Sequence, residues 1–246
     1  MPLDKSAFFV SDVHLGALYA KADPRRAGHL EDFLRALGEK ADRLFILGDL
    51  FEFWMEYRHY VPKGHFGVLS ALRDLVRGGV PVHYLSGNHD FSLGNFFKDE
   101  LGIEIHRGPV AMELQGRRLL LLHGDGMDPG DWAYRAVKRV LSHPLVNRWY
   151  RLLHPDLGMV LALKAAKLSR DRHGNVPRHL DRYETAARRL LLQGHDIVMH
   201  GHVHAGFVKK LPEGVYVNTG EWFERLQYVE MAQGECELKR YLPSPL

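Results

Sequence analysis

Five short polar motifs stand where apolar runs of the chain end, and each carries side chains that can bind a metal ion or move a proton. Packing alone rarely requires such residues directly after a strand, so each motif is a candidate site. One motif would be weak, since Gly-Asp often forms an ordinary turn and a lone histidine among 16 is usually at the surface or in the core. Five together favour a functional site: Ser11-Asp12-Val13-His14, Gly48-Asp49, Gly87-Asn88-His89-Asp90, His123-Gly124-Asp125 and Gly201-His202-Val203-His204.

The potential ligands in these motifs are oxygen and nitrogen donors, and none is a thiolate. Seven donors exceed the four of a tetrahedral zinc ion and suit two ions that share a bridging carboxylate. Two cations about 3.5–4 Å apart can lower the pKa of a bridging water and bind a phosphoryl group for in-line attack. The sequence therefore predicts a two-metal centre. The predicted ligands are Asp12, His14, Asp49, Asn88, His123, His202 and His204.

Two residues of the third motif are left over as predicted catalytic residues. His89 could contact a phosphoryl oxygen or protonate a leaving group, and Asp90 is expected to orient the His89 ring. Asp12 and His14 are expected on the same side of a strand end, because side chains alternate along a strand. His202 and His204 share that spacing and the same expectation.

Strands and helices alternate in the first part of the chain, which must position these motifs. Ala7–Ser11, Arg43–Leu47 and Val80–Leu85 are predicted strands, with helices predicted around Leu30–Leu37 and Val68–Val76. Alternation of this kind favours parallel βαβ units, in which ligands gather outside the carboxyl ends of the strands. The predicted site therefore lies at that edge of the sheet.

Beyond Asp90 the pattern changes to short strands, which are predicted to form a meander that brings a second sheet to His123. A helical tract follows from about Trp132 to Leu192, interrupted by prolines at 144 and 155 and by the segment 174–177. The predicted strands of this second part cover residues 103–106, 110–114, 117–122, 196–200, 215–218, 227–231 and 236–239.

Composition is typical of a globular protein. The 246 residues are 46% hydrophobic and 26% charged, and we expect a single domain, residues 1–246, with a helical cap insertion at residues 129–182. The apolar run at Ala7–Val10 is too short for a signal peptide, and no stretch is long enough to span a membrane. Cys236 is the only cysteine, which excludes an intramolecular disulfide and a cysteine-based zinc site. A cytoplasmic location is the expectation.

The insertion is basic. Residues 131–182 contain eleven Lys/Arg and four Asp/Glu, a local charge of +7, against +3 for the whole chain. Apolar helical faces combined with basic residues could lie on an anionic membrane or form a cleft for acyl chains. Alternatively, the helices form a small cap whose faces pack together and whose charges are merely solvated. Nucleic acid is disfavoured, because the tract has few aromatic residues for base stacking.

The order and spacing of the five motifs, from residue 12 to residue 204, resemble the calcineurin-like metallophosphoesterases. The resemblance implies an α/β fold, a four-layer αββα sandwich, with the metal centre at its sheet edges. It also implies that Asp49 bridges two metals and that His89 lies over the substrate phosphate. One metal would be held by Asp12, His14 and His204, and the other by Asn88, His123 and His202.

The surroundings of the motifs are similar to the UDP-2,3-diacylglucosamine pyrophosphatases of lipid A biosynthesis. The similarity lies in Leu47–Trp54, in His89-Asp90-Phe91, in Gly116-Arg117-Arg118 and in the helical insertion. It implies hydrolysis of a UDP-linked diacyl sugar to UMP and the acylated sugar 1-phosphate, with two divalent metals, usually Mn²⁺. Together with the basic insertion, a cytoplasmic protein bound peripherally to the inner membrane is the expectation. The substrate contacts that it implies are Asn88, His89, Asp131 and His202.

Two alternatives stay open. The best-described branch of these pyrophosphatases has arginine where this chain has His89, which favours a less selective nucleotide phosphodiesterase of the same fold. A scaffold with the phosphoesterase fold but without turnover is the alternative from another class. It would be expected to lack ligands, and none of the seven predicted ligand positions is missing.

Overall fold

The computed structural model describes residues 5–17, 23–90, 92–128, 139–140, 143–173 and 180–243. Its described helices are α1 (Arg26–Leu37), α2 (Phe66–Arg77), α3 (Phe96–Asp99), α4 (Pro144–Tyr150), α5 (Pro155–His173) and α6 (Leu180–Leu191), with a 3₁₀ turn at Lys63–His65. Its described strands are β1 (Ser6–Val10), β2 (Ala41–Leu47), β3 (Val82–Leu85), β4 (Glu104–His106), β5 (Val110–Leu114), β6 (Arg117–Leu122), β7 (Ile197–His200), β8 (Phe207–Leu211), β9 (Gly214–Asn218), β10 (Gln227–Ala232) and β11 (Glu235–Arg240).

The strands form two sheets. The first has the order β11-β10-β1-β2-β3-β4 and the second the order β5-β6-β7-β9-β8. β1, β2, β3 and β4 run parallel to one another, as do β6, β7 and β9. The predicted βαβ arrangement is confirmed, and the carboxyl ends of both parallel groups carry the polar motifs.

Helices α1 and α2 form where the apolar periodicity predicts them. In α1 the residues Leu30, Phe33, Leu34 and Leu37 recur at helical spacing and are all buried, and the helix ends at Gly38. α2 buries a similar stripe and ends at Gly78. Because each helix has one apolar stripe, it must cover a sheet face.

Three layers of packed side chains lie between four layers of structure. One core joins α1 and α2 to the outer face of the first sheet, and a second fills the space between the sheets, where Phe9 stacks on Phe45 at 4.8 Å. A third packs α6 against the outer face of the second sheet. The expected four-layer αββα sandwich is therefore confirmed.

The predicted meander is wrong for its first strand. β4 pairs with β3 in parallel and so belongs to the first sheet, because the short helix α3 makes the crossover that a parallel return requires. β5 and β6 do form a hairpin, and Gln115 and Gly116 at its tip both have positive φ, 48° and 73°. Strand β8 was not predicted at all.

The helical tract divides where the prolines predict. Pro144 is the first residue of α4, with His143 as its N-cap, and α5 begins at Pro155. Proline suits the first position of a helix because its missing N–H would have no partner there. Residues 129–138, 141–142 and 174–179 of this region lie outside the described residues, so the boundaries of the insertion stay a prediction.

Candidate metal centre

The backbone at the polar motifs takes a conformation that residues other than glycine rarely adopt. Asp12, His14, Asp49, His202 and His204 have φ between 50° and 68°, in the left-handed region. Such residues cost of order 1–3 kcal/mol each and cluster at functional sites, where the surrounding structure holds them. The expected strand alternation at Asp12 and His14 is thus wrong, because β1 ends at Val10 and the two side chains are directed by left-handed turns.

Backbone hydrogen bonds dock the loop after β1 onto the loop after β2. The amides of Val13 and His14 both donate to the carbonyl of Asp49, at 2.9 and 3.0 Å. The approach of the loop after β3 is equally close, since a Cβ on Gly87 would collide with the Asp49 carboxylate. These contacts bring three strand ends into one compact site.

The first group of donors contains Asp12, His14 and His204. Their ligand atoms lie within 4.8 Å of one another. The Asp12 Oδ1 atom is 3.2 Å from His204 Nε2 and 3.9 Å from His14 Nε2, and the two Nε2 atoms are 3.4 Å apart. These three residues are the ones expected to hold one metal.

The second group contains Asp49, His123 and His202, again within 4.8 Å. His123 Nε2 lies 3.3 Å from Asp49 Oδ2 and 2.9 Å from Asn88 Oδ1. His202 and His204 therefore face different donor groups, although their spacing predicted a common side.

Asp49 lies between the two groups. Its Oδ1 atom accepts a hydrogen bond from the His89 amide at 2.9 Å, and its Oδ2 atom is 3.3 Å from His123 Nε2 and 3.9 Å from His14 Nε2. One carboxylate oxygen is thus fixed by the backbone while the other faces both donor groups, which is the arrangement a bridging ligand needs.

Hydrogen bonds on the far side of two imidazoles fix which nitrogen faces the centre. His14 Nδ1 lies 3.0 Å from a Glu52 carboxylate oxygen, and His123 Nδ1 lies 2.7 Å from the Leu47 carbonyl. Since both oxygens accept, Nδ1 carries a proton in each ring, and Nε2 is the nitrogen that faces the centre and can bind a metal once a metal displaces any proton it carries. Sequence reasoning missed Glu52, whose only signal was a carboxylate in the aromatic run Phe51–Trp54.

An unpaired oxygen supports a cation at the first group. Asp12 Oδ2 accepts from the His202 amide at 2.8 Å, whereas Asp12 Oδ1 is buried without a hydrogen-bond donor. That oxygen faces the Nε2 atoms of His14 and His204. Buried carboxylate and imidazole acceptors with few donors fit a divalent cation.

The protonation equilibria agree with an anionic pocket. Burial alone would raise the pKa of Asp12, but His204 and His123 outweigh it and bring that pKa down to about 2. Burial would likewise lower the pKa of His123, yet Asp49 and Asp12 raise it to about 10. Burial and then the charge of His123 lower the pKa of His202 to about 4. Burial would also raise the pKa of Asp49, but His123 and His89 hold that pKa well below its usual value. Asp12 and Asp49 therefore stay ionised and attract positive charge.

His89 reaches the same pocket from the loop after β3. Its Nδ1 atom donates to the Glu52 carbonyl at 3.0 Å, and its ring lies edge-on to His14 with centroids 4.9 Å apart. A ligand atom of His89 also falls within 4.8 Å of those of His14 and Asp49. The His89 side chain is one-fifth exposed, so it can meet a molecule that enters from solvent.

Asp90 does not orient His89, and that prediction is wrong. Its Oδ1 atom accepts from the amides of Gly87 at 2.7 Å and Asp49 at 3.3 Å, and its Oδ2 atom accepts from the Leu50 amide at 2.9 Å and the Tyr84 hydroxyl. The chain turns after Asn88 and buries this carboxylate beneath the loops. Burial and the charge of Asp49 raise the pKa of Asp90 to about 6. Asp90 is a positioning residue, and the Glu52 carbonyl holds His89.

The structure brings together all seven predicted ligands and His89. Asp131, the remaining predicted substrate contact, lies outside the described residues. The comparison with known families decides what kind of centre this is, because a model described as calcineurin-like phosphoesterase matches residues 6–206.

The chain belongs to the calcineurin-like phosphoesterase family. It is therefore a hydrolase of the phosphoesterase class, and its donor clusters are candidate sites for the divalent metals of that family.

Three curated relatives carry the name UDP-2,3-diacylglucosamine hydrolase. The one from Porphyromonas gingivalis is 33% identical over 69% of this chain and 68% of its own length. The one from Nitrosococcus oceani is 32% identical over 81% and 78%, and the one from Aeromonas salmonicida is 32% identical over 97% and 95%. Both resemblances drawn from the motifs are confirmed.

Glu52→Gln is expected to weaken divalent-metal binding in this phosphoesterase by about 10–100-fold. The neutral amide would be a weaker acceptor than the carboxylate for the His14 Nδ1 proton, so it would hold the ring in its metal-binding tautomer less firmly. Isothermal titration of metal-free protein measures the affinity. Glu56→Gln is the matched control, since Glu56 belongs to the same loop and accepts from the Asn95 and Phe96 amides. Wild-type affinity in Glu52→Gln would contradict the role assigned to Glu52.

Asp90→Asn is expected to lower the free energy of unfolding by about 1–3 kcal/mol. The new side-chain NH₂ group would face buried N–H and O–H donors whose hydrogen bonds the carboxylate now accepts. Denaturant titration measures the change, and Asp99→Asn, at an exposed aspartate, is the control. If Asp90→Asn lost turnover while its stability stayed at the wild-type value, Asp90 would act in the chemistry and not as a support.

Proposed function

We propose that this chain hydrolyses the pyrophosphate of UDP-2,3-diacylglucosamine to UMP and 2,3-diacylglucosamine 1-phosphate, a step of lipid A biosynthesis. The relatives with the corresponding name match up to 97% of the chain. The observation that carries the proposal is that the loops after β2 and β3, which carry residues of the metal centre, also contact helix α4 of the insertion. A substrate with a pyrophosphate and two acyl chains requires a phosphate site beside an apolar one.

The proposed cofactor is a pair of divalent ions, Mn²⁺ by the resemblance to the pyrophosphatases, although nitrogen and oxygen donors also accept iron or zinc. When bound, two such ions supply a hydroxide near neutral pH and neutralise charge on the phosphoryl group. Asp49 Oδ2 is the proposed bridge, since it faces both donor groups. Asp12, His14 and His204 would hold one ion, and Asn88, His123 and His202 the other.

His89 is the proposed catalytic residue of the chain itself. Its Nδ1–H is held by the Glu52 carbonyl, so the imidazolium form would use its Nε2–H to donate to a phosphoryl oxygen or to give that proton to the leaving group. Asn88 and His202 lie next to the same pocket and are proposed to contact the substrate. Asp131 is proposed as a further contact.

Two contacts join the centre to the insertion. Phe53, the neighbour of Glu52, packs its ring on Tyr150 of α4 at 5.7 Å. Ser92, two residues after Asp90, donates to the Asn147 side chain of α4 at 3.0 Å. A substrate held by the metal centre would therefore have the insertion helices beside it.

A mostly apolar cavity of about 740 Å³ lies between residues 53–63, which follow β2, and the start of α5. Its volume falls within the range of small-molecule sites, which span about 300–1,000 Å³. Flexible methionines and aromatic rings suit an acyl chain, which has no polar groups to satisfy. The lining residues include Phe53, Met55, Tyr57, Pro155 and Met159.

The insertion also supports a contact with a membrane surface. Trp149 and Leu152 are 71% and 72% exposed, and the exposed Arg148 and Arg151 lie beside them. Apolar side chains next to cations are typical of helices that lie on anionic bilayers. Among the described helices, none has the length and apolar character to cross a membrane. From the exposed apolar and basic residues of α4 and the segment after it, we propose a cytoplasmic enzyme bound peripherally to the inner membrane.

His89→Ala is expected to lower kcat by about 10²–10⁴-fold with little change in metal content, because the residue acts on the phosphoryl group or the leaving group. Steady-state kinetics and metal analysis measure both quantities. His195→Ala, which removes a histidine before β7, is the control. A near-normal kcat in His89→Ala would reduce His89 to packing.

The substrate class is tested by comparing UMP release from UDP-2,3-diacylglucosamine with cleavage of a generic aryl phosphodiester. We expect a strong preference for the lipid-linked substrate. The opposite preference would favour the less selective nucleotide phosphodiesterase. Less than one metal ion per chain, with no activity restored by Mn²⁺, would favour the scaffold without turnover.

Leu152→Gln is expected to reduce sedimentation with anionic phospholipid vesicles, because it removes apolar area from the proposed membrane face. Leu192→Gln is the matched control, since Leu192 is 73% exposed and follows α6 outside that face. Equal vesicle binding by the two variants would contradict the assignment of the face.

A further inference from the structure

Three residues with metal-binding side chains lie at the edge of the first sheet, apart from the centre described above. In the parallel pairing of β3 with β4, His83 is the direct partner of Glu104. His106 follows Glu104 by two positions, so strand alternation places all three side chains on one face. These residues lie within the strands, whereas the ligands of the centre follow the strands.

The donor atoms of the three residues lie close enough together to share one ion. His83 Nδ1 is 3.2 Å from His106 Nε2 and 3.3 Å from Glu104 Oε2, and His106 Nε2 is 3.7 Å from Glu104 Oε1. Metal–ligand bonds of 2.0–2.1 Å in a tetrahedral zinc site place donors roughly 3.3–3.4 Å apart. The two distances from His83 Nδ1 are therefore close to those of a zinc site. The two imidazoles approach different oxygens of Glu104, so this exposed side chain would turn to bring one oxygen near both.

Packing fixes the imidazoles before any ion binds. The His83 ring stacks on Phe45 on one side, at 4.9 Å and 14°, and on His106 on the other, at 5.4 Å and 23°. The side chains of His83 and His106 are only 13% and 17% exposed, whereas that of Glu104 is 63% exposed. The carboxylate side is thus open, and water can take a fourth position.

The electrostatic surroundings permit a cation. Burial lowers the pKa of His83, so its imidazole is neutral, the form that binds metal. Arg43 is the nearby positive charge that adds to this shift, and its guanidinium is already paired with Asp42 at 2.7 Å. Glu104 supplies an anion, and two imidazoles with one carboxylate form a known zinc ligand set.

We propose that His83, Glu104 and His106 form a zinc site that clamps β4 to β3. β4 is a three-residue edge strand, and the Ser86 amide, which immediately precedes the Gly87-Asn88-His89-Asp90 loop, donates to the His106 carbonyl at 2.9 Å. An ion at this site fixes the strand that supports this loop. The competing explanation is a hydrogen bond between the two imidazoles with Glu104 as an ion-pair partner.

Zinc content tests the site directly. Wild type, His83→Gln/His106→Gln and the control His195→Gln are dialysed against buffered Zn²⁺, and bound zinc per chain is measured by mass spectrometry. The double variant is expected to hold one zinc ion fewer than wild type, and the control the wild-type amount. Equal zinc content in the double variant and wild type overturns the proposal and leaves a hydrogen bond only.

Two further variants keep the test decisive. Glu104→Gln changes an exposed side chain, so the fold is retained, and zinc affinity at this site is expected to fall; an unchanged affinity overturns the proposal. In an Asp12→Ala/Asp49→Ala/His123→Ala background, which removes a ligand from each donor group of the centre and the carboxylate between them, one zinc ion per chain should remain. If that background bound no zinc, all the zinc of the wild-type chain would belong to the centre and the proposal would fail.

Discussion

The Asp49 carboxylate is the group on which the rest of the site depends. Asp49 follows a buried strand, and its main-chain carbonyl accepts hydrogen bonds from two amides of the loop after β1. Its side-chain Oδ1 atom accepts a hydrogen bond from the His89 amide in the loop after β3. Only Oδ2 is left to face the two donor groups. A single residue thus sets the distance between three strand ends and the two candidate metal positions.

A second carboxylate, that of Asp90, is buried beneath the loops and supports Asp49 without reaching the pocket. Asp90 accepts the amides of Asp49, Leu50 and Gly87, so it ties the loop after β2 to the loop after β3. These hydrogen bonds offset the cost of left-handed backbone at Asp49, which is of order 1–3 kcal/mol. The strain and the support occur together, as expected of a site whose geometry must exist before a cation binds.

The sequence was sufficient to predict which donor side chains lie together and the sheet edge where they meet. Parallel strands end at one edge, and Asp12, Asp49 and Asn88 each follow a strand of the first sheet. The reason given for pairing Asp12 with His14 was wrong, because the residues leave the strand before the motif begins. Strand alternation predicted proximity that left-handed turns actually produce.

What could not be predicted depends on contacts between loops. Glu52 acts through His14, which is 38 positions away, and Asp90 turns inward because buried amides need an acceptor there. Strand β4 was assigned to a meander, because its short sequence does not reveal its partner. Its pairing with β3 is what places His83 opposite Glu104.

Anomalous diffraction from crystals grown with Mn²⁺ tests whether Asp49 lies between two ions, because it locates each ion without reference to activity. Two peaks about 3.5–4 Å apart are expected on either side of Asp49 Oδ2, one beside His14 and His204 and the other beside His123 and His202. A single peak, or two peaks that do not share Asp49, would contradict that position of Asp49.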